Sequence, residues 1–263
     1  MLSWLHLHPA PACSPPAAAH MHGTLFLPVP LGMRKTEYNF AEGEVLLLDK
    51  PYRWTSFDVV NKMRWGLKVK KIGHAGTLDP LATGLLVLCT GKMTKQIETF
   101  QGWEKEYTGT LVLGKTTPSY DLETDFNSEA PFAHIRQEQL YATAASLTGP
   151  LQQIPPQHSA IKIGGKRAYK SAREGKEIKM EPRSVEVPEF EITGFALPEV
   201  HFRIVCSKGT YIRSLAHDFG QLLGTGAYLS ALRRTRIGSL RIEDAIEPLA
   251  LLDHIKGSTH EDL

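Results

Sequence analysis

Cysteine is scarce in this 263-residue chain: Cys13, Cys89 and Cys206 are an odd number at wide spacings, with no Cys-x-x-Cys pair. That argues against a disulfide framework and a thiolate zinc site, and suits reduced thiols in a cytoplasmic compartment. Also missing is any stretch approaching the roughly 20 apolar residues that span a bilayer, so no membrane association is expected. Excess charge of one sign is nearly absent, since 30 Lys and Arg against 28 Asp and Glu leave a formal +2. So mild a value does not exclude a nucleic-acid ligand, because local clusters of Lys and Arg are what attract a phosphate backbone.

Residues 1–32 contain no Lys or Arg at all. Pro9, Pro11, Pro15 and Pro16 interrupt their apolar run, which argues against a secretory signal. The segment has neither helical nor strand period and is expected to be a disordered extension. Its histidines His6, His8, His20 and His22 have no neighbouring shell to orient them, so no metal site is expected. Met33, leading into Arg34-Lys35-Thr36-Glu37, reads as a natural start for a domain spanning 33–263. With 42% hydrophobic content the chain can bury one substantial core.

What stands out is Gly73-His74-Ala75-Gly76-Thr77-Leu78-Asp79-Pro80-Leu81-Ala82-Thr83-Gly84, a turn-rich segment with one carboxylate ahead of the apolar run Leu85-Leu86-Val87-Leu88. The glycines open backbone conformations closed to other residues, and Pro80 restricts Asp79 to extended geometry. A rigid loop can therefore hold this acid over a cleft. The surrounding pattern predicts strands at Val45–Leu48, Gly84–Thr90 and Tyr107–Leu113, and a helix after Ser56 with Ser56 as N-cap. Further helices are predicted over Met93–Phe100, His134–Leu147, Thr210–Leu223 and Pro248–Ile255. Val185–Phe195 and Val200–Cys206 are predicted to be paired strands. The sum is an α+β domain with a mixed, mainly antiparallel sheet and flanking helices.

The Gly73–Gly84 segment resembles the catalytic motif of the TruB family, the tRNA pseudouridine-55 synthases. Four further blocks agree in order and spacing: Leu46 to Pro51, Lys105-Glu106-Tyr107, Ser207 to Arg213, and Leu232-Arg233-Arg234. The resemblance covers about residues 43 to 240. It implies an RNA pseudouridine synthase acting on the T-arm stem-loop of tRNA, as a cytoplasmic monomer, with no cofactor and no metal. Converting uridine to pseudouridine breaks the C1′–N1 bond, turns the uracil and rejoins it through C5, with no redox change. One ionised carboxylate at C1′, Asp79, suffices, whether it attacks the sugar or assists loss of the C2′ proton. Glycoside hydrolysis typically needs a second acid roughly 5 to 9.5 Å away; no partner acid is evident.

The resemblance also assigns supporting residues. Arg213 is to pair with Asp79 and keep it charged. Tyr107 is to stack on the target uracil, its hydroxyl available as a proton acceptor, and Tyr211 is to line the same pocket. Leu232 is placed at the base, and His74 in contact with the RNA around the flipped uridine. Lys50 has two readings, a packing lysine or a substrate-binding ligand to the RNA backbone. An RNA-clamping insertion is expected at about 152–183, where Lys166, Arg167 and Lys170 lie beside Tyr169. A second basic group, Lys62, Arg64, Lys68, Lys70 and Lys71, leads into the Asp79 loop. A C-terminal RNA-binding module of the PUA type, carried by many members, is expected to be absent. Two alternatives stand beside this reading: a non-catalytic tRNA-binding or folding protein, and a synthase acting on another RNA.

Overall fold

The structure is a computed structural model, described here for residues 38–159, 161–163, 166–168 and 179–258. The N-terminal extension, Tyr169 and Lys170 lie outside the described residues. In chain order the first half carries β1 (Val45–Lys50), α1 (Ser56–Gly66), β2 (Ile72–His74), β3 (Ala82–Thr90), α2 (Ile97–Gly102) and β4 (Lys105–Leu113). Two short strands, β5 (Lys115–Thr116) and β6 (Ser128–Glu129), precede α3 (Gln137–Ser146), β7 (Gly149–Gln153), β8 (Lys162–Ile163) and β9 (Lys166–Arg167). The second half runs β10 (Arg183–Val187), β11 (Glu189–Ala196), β12 (Glu199–Cys206), α4 (Ile212–Leu222), β13 (Ala227–Ile237), β14 (Leu240–Arg241) and α5 (Pro248–Ser258).

A sheet in the order β1-β3-β13-β4-β12-β11, with β2 added on β3 and β14 on β13, organises the domain. Every pairing in it is antiparallel except β13 with β3. The fold is therefore α+β with a mixed, mainly antiparallel sheet. At the β1–β3 end the strands are apolar on both faces because they are packed on both sides, whereas β4, β12 and β13 bury mainly alternate residues. Along β1, Leu46 and Leu48 join Val60 and Met63 of α1 and Leu251 of α5, whereas Leu47 points the other way to Val87, Phe100 and Ile237. At the β4 end, Leu111, Phe202 and Ile204 pack against Leu140 of α3 and Leu215 and Phe219 of α4.

The parallel contact of β13 with β3 matters most for the site. Leu232 pairs with Ala82 and Arg234 with Gly84, which docks the end of the Asp79 loop onto β13. A side chain at Gly84 would meet the Arg234 carbonyl oxygen at 2.3 Å, and its φ of +102° suits only glycine.

Several elements differ in detail from the sequence expectation. The cap of α1 is Thr55, whose hydroxyl accepts from the Asp58 N–H while the Asp58 carboxylate accepts from the Thr55 N–H. Ser56, the expected cap, is drawn inward instead. The predicted helix Met93–Phe100 is a 3-10 turn over Gly91–Gln96 followed by α2. Val185–Phe195 divides at Pro188, which has no N–H for a ladder. Its first part, β10, pairs with β7 in a separate ribbon.

Candidate active site

Asp79 follows a loop that is fixed from three sides. The Ser56 hydroxyl accepts from the Leu78 N–H at 2.8 Å and donates to the Leu78 carbonyl at 3.1 Å, fully inside the protein. Lys50 Nζ donates to the carbonyls of Pro51 at 3.0 Å, Trp54 at 2.5 Å and Pro80 at 3.4 Å. Arg234 donates from Nη2 to the Gly76 carbonyl at 3.1 Å and from Nε to the Leu85 carbonyl at 2.7 Å. A backbone tied at Gly76, Leu78 and Pro80 leaves the Asp79 side chain little freedom to wander.

The carboxylate itself meets Arg213 in a two-pronged pair: Nε donates to Oδ2 at 3.0 Å and Nη2 to Oδ1 at 3.2 Å. Such a fork fixes orientation as well as charge. Arg213 is 3% exposed while the Asp79 side chain is 37% exposed, so the cation is internal and the anion faces out. The guanidinium also donates to two backbone acceptors, the Ser119 carbonyl at 3.0 Å and the His158 carbonyl at 2.9 Å. Asp121 stands 3.6 Å from Arg213 Nε. Burial pushes the Asp121 carboxyl above its usual range, with the Arg213 charge opposing that rise. A second acid therefore lies close to the site; it is buried and absent from the lining of the main cleft, but it shares a small adjoining pocket with Asp79, Arg213 and Leu232.

The cleft has a volume of about 560 Å³ and is lined by Asp79, Lys105, Tyr107, Tyr211, Arg213, Leu232 and Arg234, among others. Tyr107, on β4, is 8% exposed. Burial raises its phenol pKa, with Arg234 opposing, so the hydroxyl is kept as a neutral group that can both donate and accept a hydrogen bond. Tyr211 caps α4, its N–H donating to Gln153 Oε1 at 2.8 Å and its carbonyl accepting from Gln153 Nε2 at 3.1 Å. Arg183 stands over its ring at 5.4 Å from the centroid. Leu232 supplies an apolar wall from β13.

Of the sequence-predicted residues, the fold thus brings Asp79, Tyr107, Tyr211, Arg213 and Leu232 to one cleft. His74 ends β2 at the start of the loop, outside the lining residues. Its imidazole pKa is lowered, by burial first and by the Arg234 charge second. Lys50, expected among the substrate-binding residues, is wholly buried and bound to three carbonyls, which favours its packing reading. Burial brings its ammonium down to about 8, against the opposing charge of Asp79. Lys62, Lys68, Lys70 and Lys71 are exposed at and beyond the end of α1. Sequence reasoning missed Ser56, Ser119, Asp121 and Arg234 as supports. Only Arg234 carried a usable signal, its place in the Leu232-Arg233-Arg234 block.

Solved structures share this architecture. The chain aligns with one in a Cbf5-Nop10-Gar1 complex at a TM-score of 0.69 and 28% identity, covering 89% of this chain and 60% of that one. Another, from an H/ACA RNP bound to a substrate RNA containing 2′-deoxyuridine, gives 0.64 and 26% over 85% of this chain and 56% of that one. The chain therefore spans less than two thirds of those neighbours. Curated relatives match over nearly their whole length. The tRNA pseudouridine synthase B of Flavobacterium johnsoniae is 53% identical over 81% of this chain and 96% of its own. That of Bacteroides fragilis is 49% identical over 82% and 96%.

Residues 64–212 match the model of the TruB family pseudouridylate synthase N-terminal domain, and residues 213–262 that of the tRNA pseudouridylate synthase B C-terminal domain. The chain belongs to the TruB family of pseudouridylate synthases.

Proposed function

We propose that the protein isomerises the T-loop uridine of tRNA to pseudouridine, as a tRNA pseudouridine-55 synthase with Asp79 as its catalytic carboxylate. One observation carries the reading: a single outward-facing carboxylate, gripped by a buried arginine fork, at a cleft walled by a tyrosine ring and a leucine. The naming of curated relatives as tRNA pseudouridine synthase B supports tRNA as the substrate.

The uridine is flipped out of its stack and enters against Tyr107 and Leu232, at a few kcal/mol that contacts around the loop must offset. His74 takes part in those contacts. The C1′–N1 bond breaks and its electrons pass to the uracil, while Asp79 either bonds to C1′ and is displaced when C5 attacks, or takes the C2′ proton and returns it to C2′ as the C5–C1′ bond forms. The ring turns, C5 bonds to C1′, the C5 proton leaves and N1 gains one. Arg213 contributes orientation, since its fork sets the carboxylate plane. Basic side chains of the 152–183 region and those beyond α1 hold the stem through its phosphates. No cofactor or metal enters this balance, and the site of action is the cytoplasm.

The test is to map new pseudouridines in tRNA lacking modification after incubation with the purified protein. A single new pseudouridine in the T-loop is expected. Modification confined to another RNA would redirect the assignment, and none at all would refute it.

A further inference from the structure

The loop between β5 and β6 does more than supply Ser119 and Asp121. Its corner is Tyr120, with φ of +63°, a left-handed conformation unfavourable for a bulky residue. Glycine or asparagine is the usual occupant of such a corner. The tyrosine ring here lies flat on the imidazole of His217, 4.0 Å between centroids and 15° between planes. His217 is on α4, one turn after Arg213, so one helix grips this loop at two adjacent points. Arg213 holds the Ser119 carbonyl and Asp121, and His217 holds the residue between them.

The imidazole is held by its shape. His217 Nδ1 is buried and has no hydrogen-bond partner among the described residues. Burial lowers its pKa, keeping the stacked ring neutral. The loop backbone is otherwise closed on itself: Thr117 Oγ1 and Ser119 Oγ donate to the Asp121 carbonyl at 2.6 and 3.1 Å, and Ser119 Oγ meets Thr124 Oγ1 at 2.8 Å. Outward it reaches β13 through the Tyr120 carbonyl, which accepts from the Leu229 N–H at 2.9 Å. The ring stack is what joins the Tyr120 side chain to α4.

We infer that the His217–Tyr120 stack is a positioning element for the catalytic carboxylate, locking the loop at the setting where Ser119 and Asp121 hold Arg213 in its fork with Asp79. Neither ring touches the cleft; each acts through Arg213. The inference rests on the catalytic role of Asp79 proposed above.

The test compares wild type with His217→Ala, His217→Phe and Tyr120→Gly. Three readouts are taken: single-turnover pseudouridine formation at saturating tRNA, tRNA affinity, and exchange protection of the Arg213 Nε–H by NMR without RNA. His217→Ala should slow the chemical step about tenfold, the scale of one lost aromatic pair, with affinity within about twofold of wild type. His217→Phe keeps a flat ring without the orphaned nitrogen and should restore both the rate and the Nε–H protection. Tyr120→Gly relaxes the left-handed corner while deleting the ring, so it should fold even where His217→Ala does not, and should repeat the slow rate. Full rate and full Nε–H protection in both Tyr120→Gly and His217→Ala would overturn the inference. So would a Phe variant as slow as the Ala variant. If wild type forms no pseudouridine, the functional reading fails; loss of Nε–H protection in the Ala and Gly variants, regained with Phe, would still establish the positioning role.

Discussion

Two arginines of this protein each meet more than one acid, and they do so in opposite ways. Arg203, on β12, is ringed by Glu106, Glu189 and Glu191, with its side chain 32% exposed and those of Glu189 and Glu191 more than half exposed. The two outer glutamates raise its pKa, and the group is a surface network with every charge answered nearby. Arg213 is 3% exposed, its fork aimed at one carboxylate that opens onto a cleft. Ion pairs alone therefore mark nothing. What distinguishes the site is asymmetry, a cation fixed inside by carbonyls and a lone acid left facing out.

That contrast is sharpest at Arg213. Arg213→Lys replaces a planar fork by a point charge that cannot bind both oxygens of Asp79 and two carbonyls at once. The single-turnover rate should fall about a hundredfold or more, on the scale of losing one preorganised electrostatic contact, with tRNA affinity little changed. Rate measurement at saturating tRNA beside a binding isotherm checks this. Wild-type turnover would show that the fork is dispensable.

A smaller effect is expected one residue deeper. Ser56→Ala removes both hydrogen bonds to Leu78 and leaves its N–H and carbonyl buried without those partners, at about 1 to 3 kcal/mol each way of counting. The midpoint of thermal unfolding should drop by several degrees and the rate by about tenfold, since the loop end carrying Asp79 loosens. A variant with lowered melting temperature but normal rate would confine Ser56 to stability.

The smallest change belongs to Arg203. Arg203→Met should alter stability by less than about 1 kcal/mol, diminishing as salt is added, and should leave the rate unchanged. A large loss of turnover would erase the distinction between the two clusters.

How far the sequence revealed these parts follows from how each is assembled. The Asp79 loop is contiguous, its glycines and proline lie in one segment, and so it could be read directly. Arg213 and Tyr107 were legible because each stands in a short block of its own. Asp121 and Ser119 were not, since they come from a loop about 90 residues before Arg213 and signal nothing until α4 packs there. Ser56 misled for a different reason: Ser and Thr both cap helices, and here Thr55 takes the cap while Ser56 turns to Leu78. Lys50 followed the same logic, an ordinary cation in sequence whose burial under three carbonyls only the fold decides. Pro188 was visible, but the separate pairing of β10 with β7 depends on a tertiary partner.

The most direct test of the account is Asp79→Asn, which keeps the size of the side chain and removes its charge. Single-turnover assay and tRNA binding should be measured on the same preparation. The account predicts wild-type-like binding with pseudouridine formation reduced by at least about a thousandfold, the scale seen when a catalytic group is removed. Turnover within about tenfold of wild type would contradict the central claim that this carboxylate performs the chemistry.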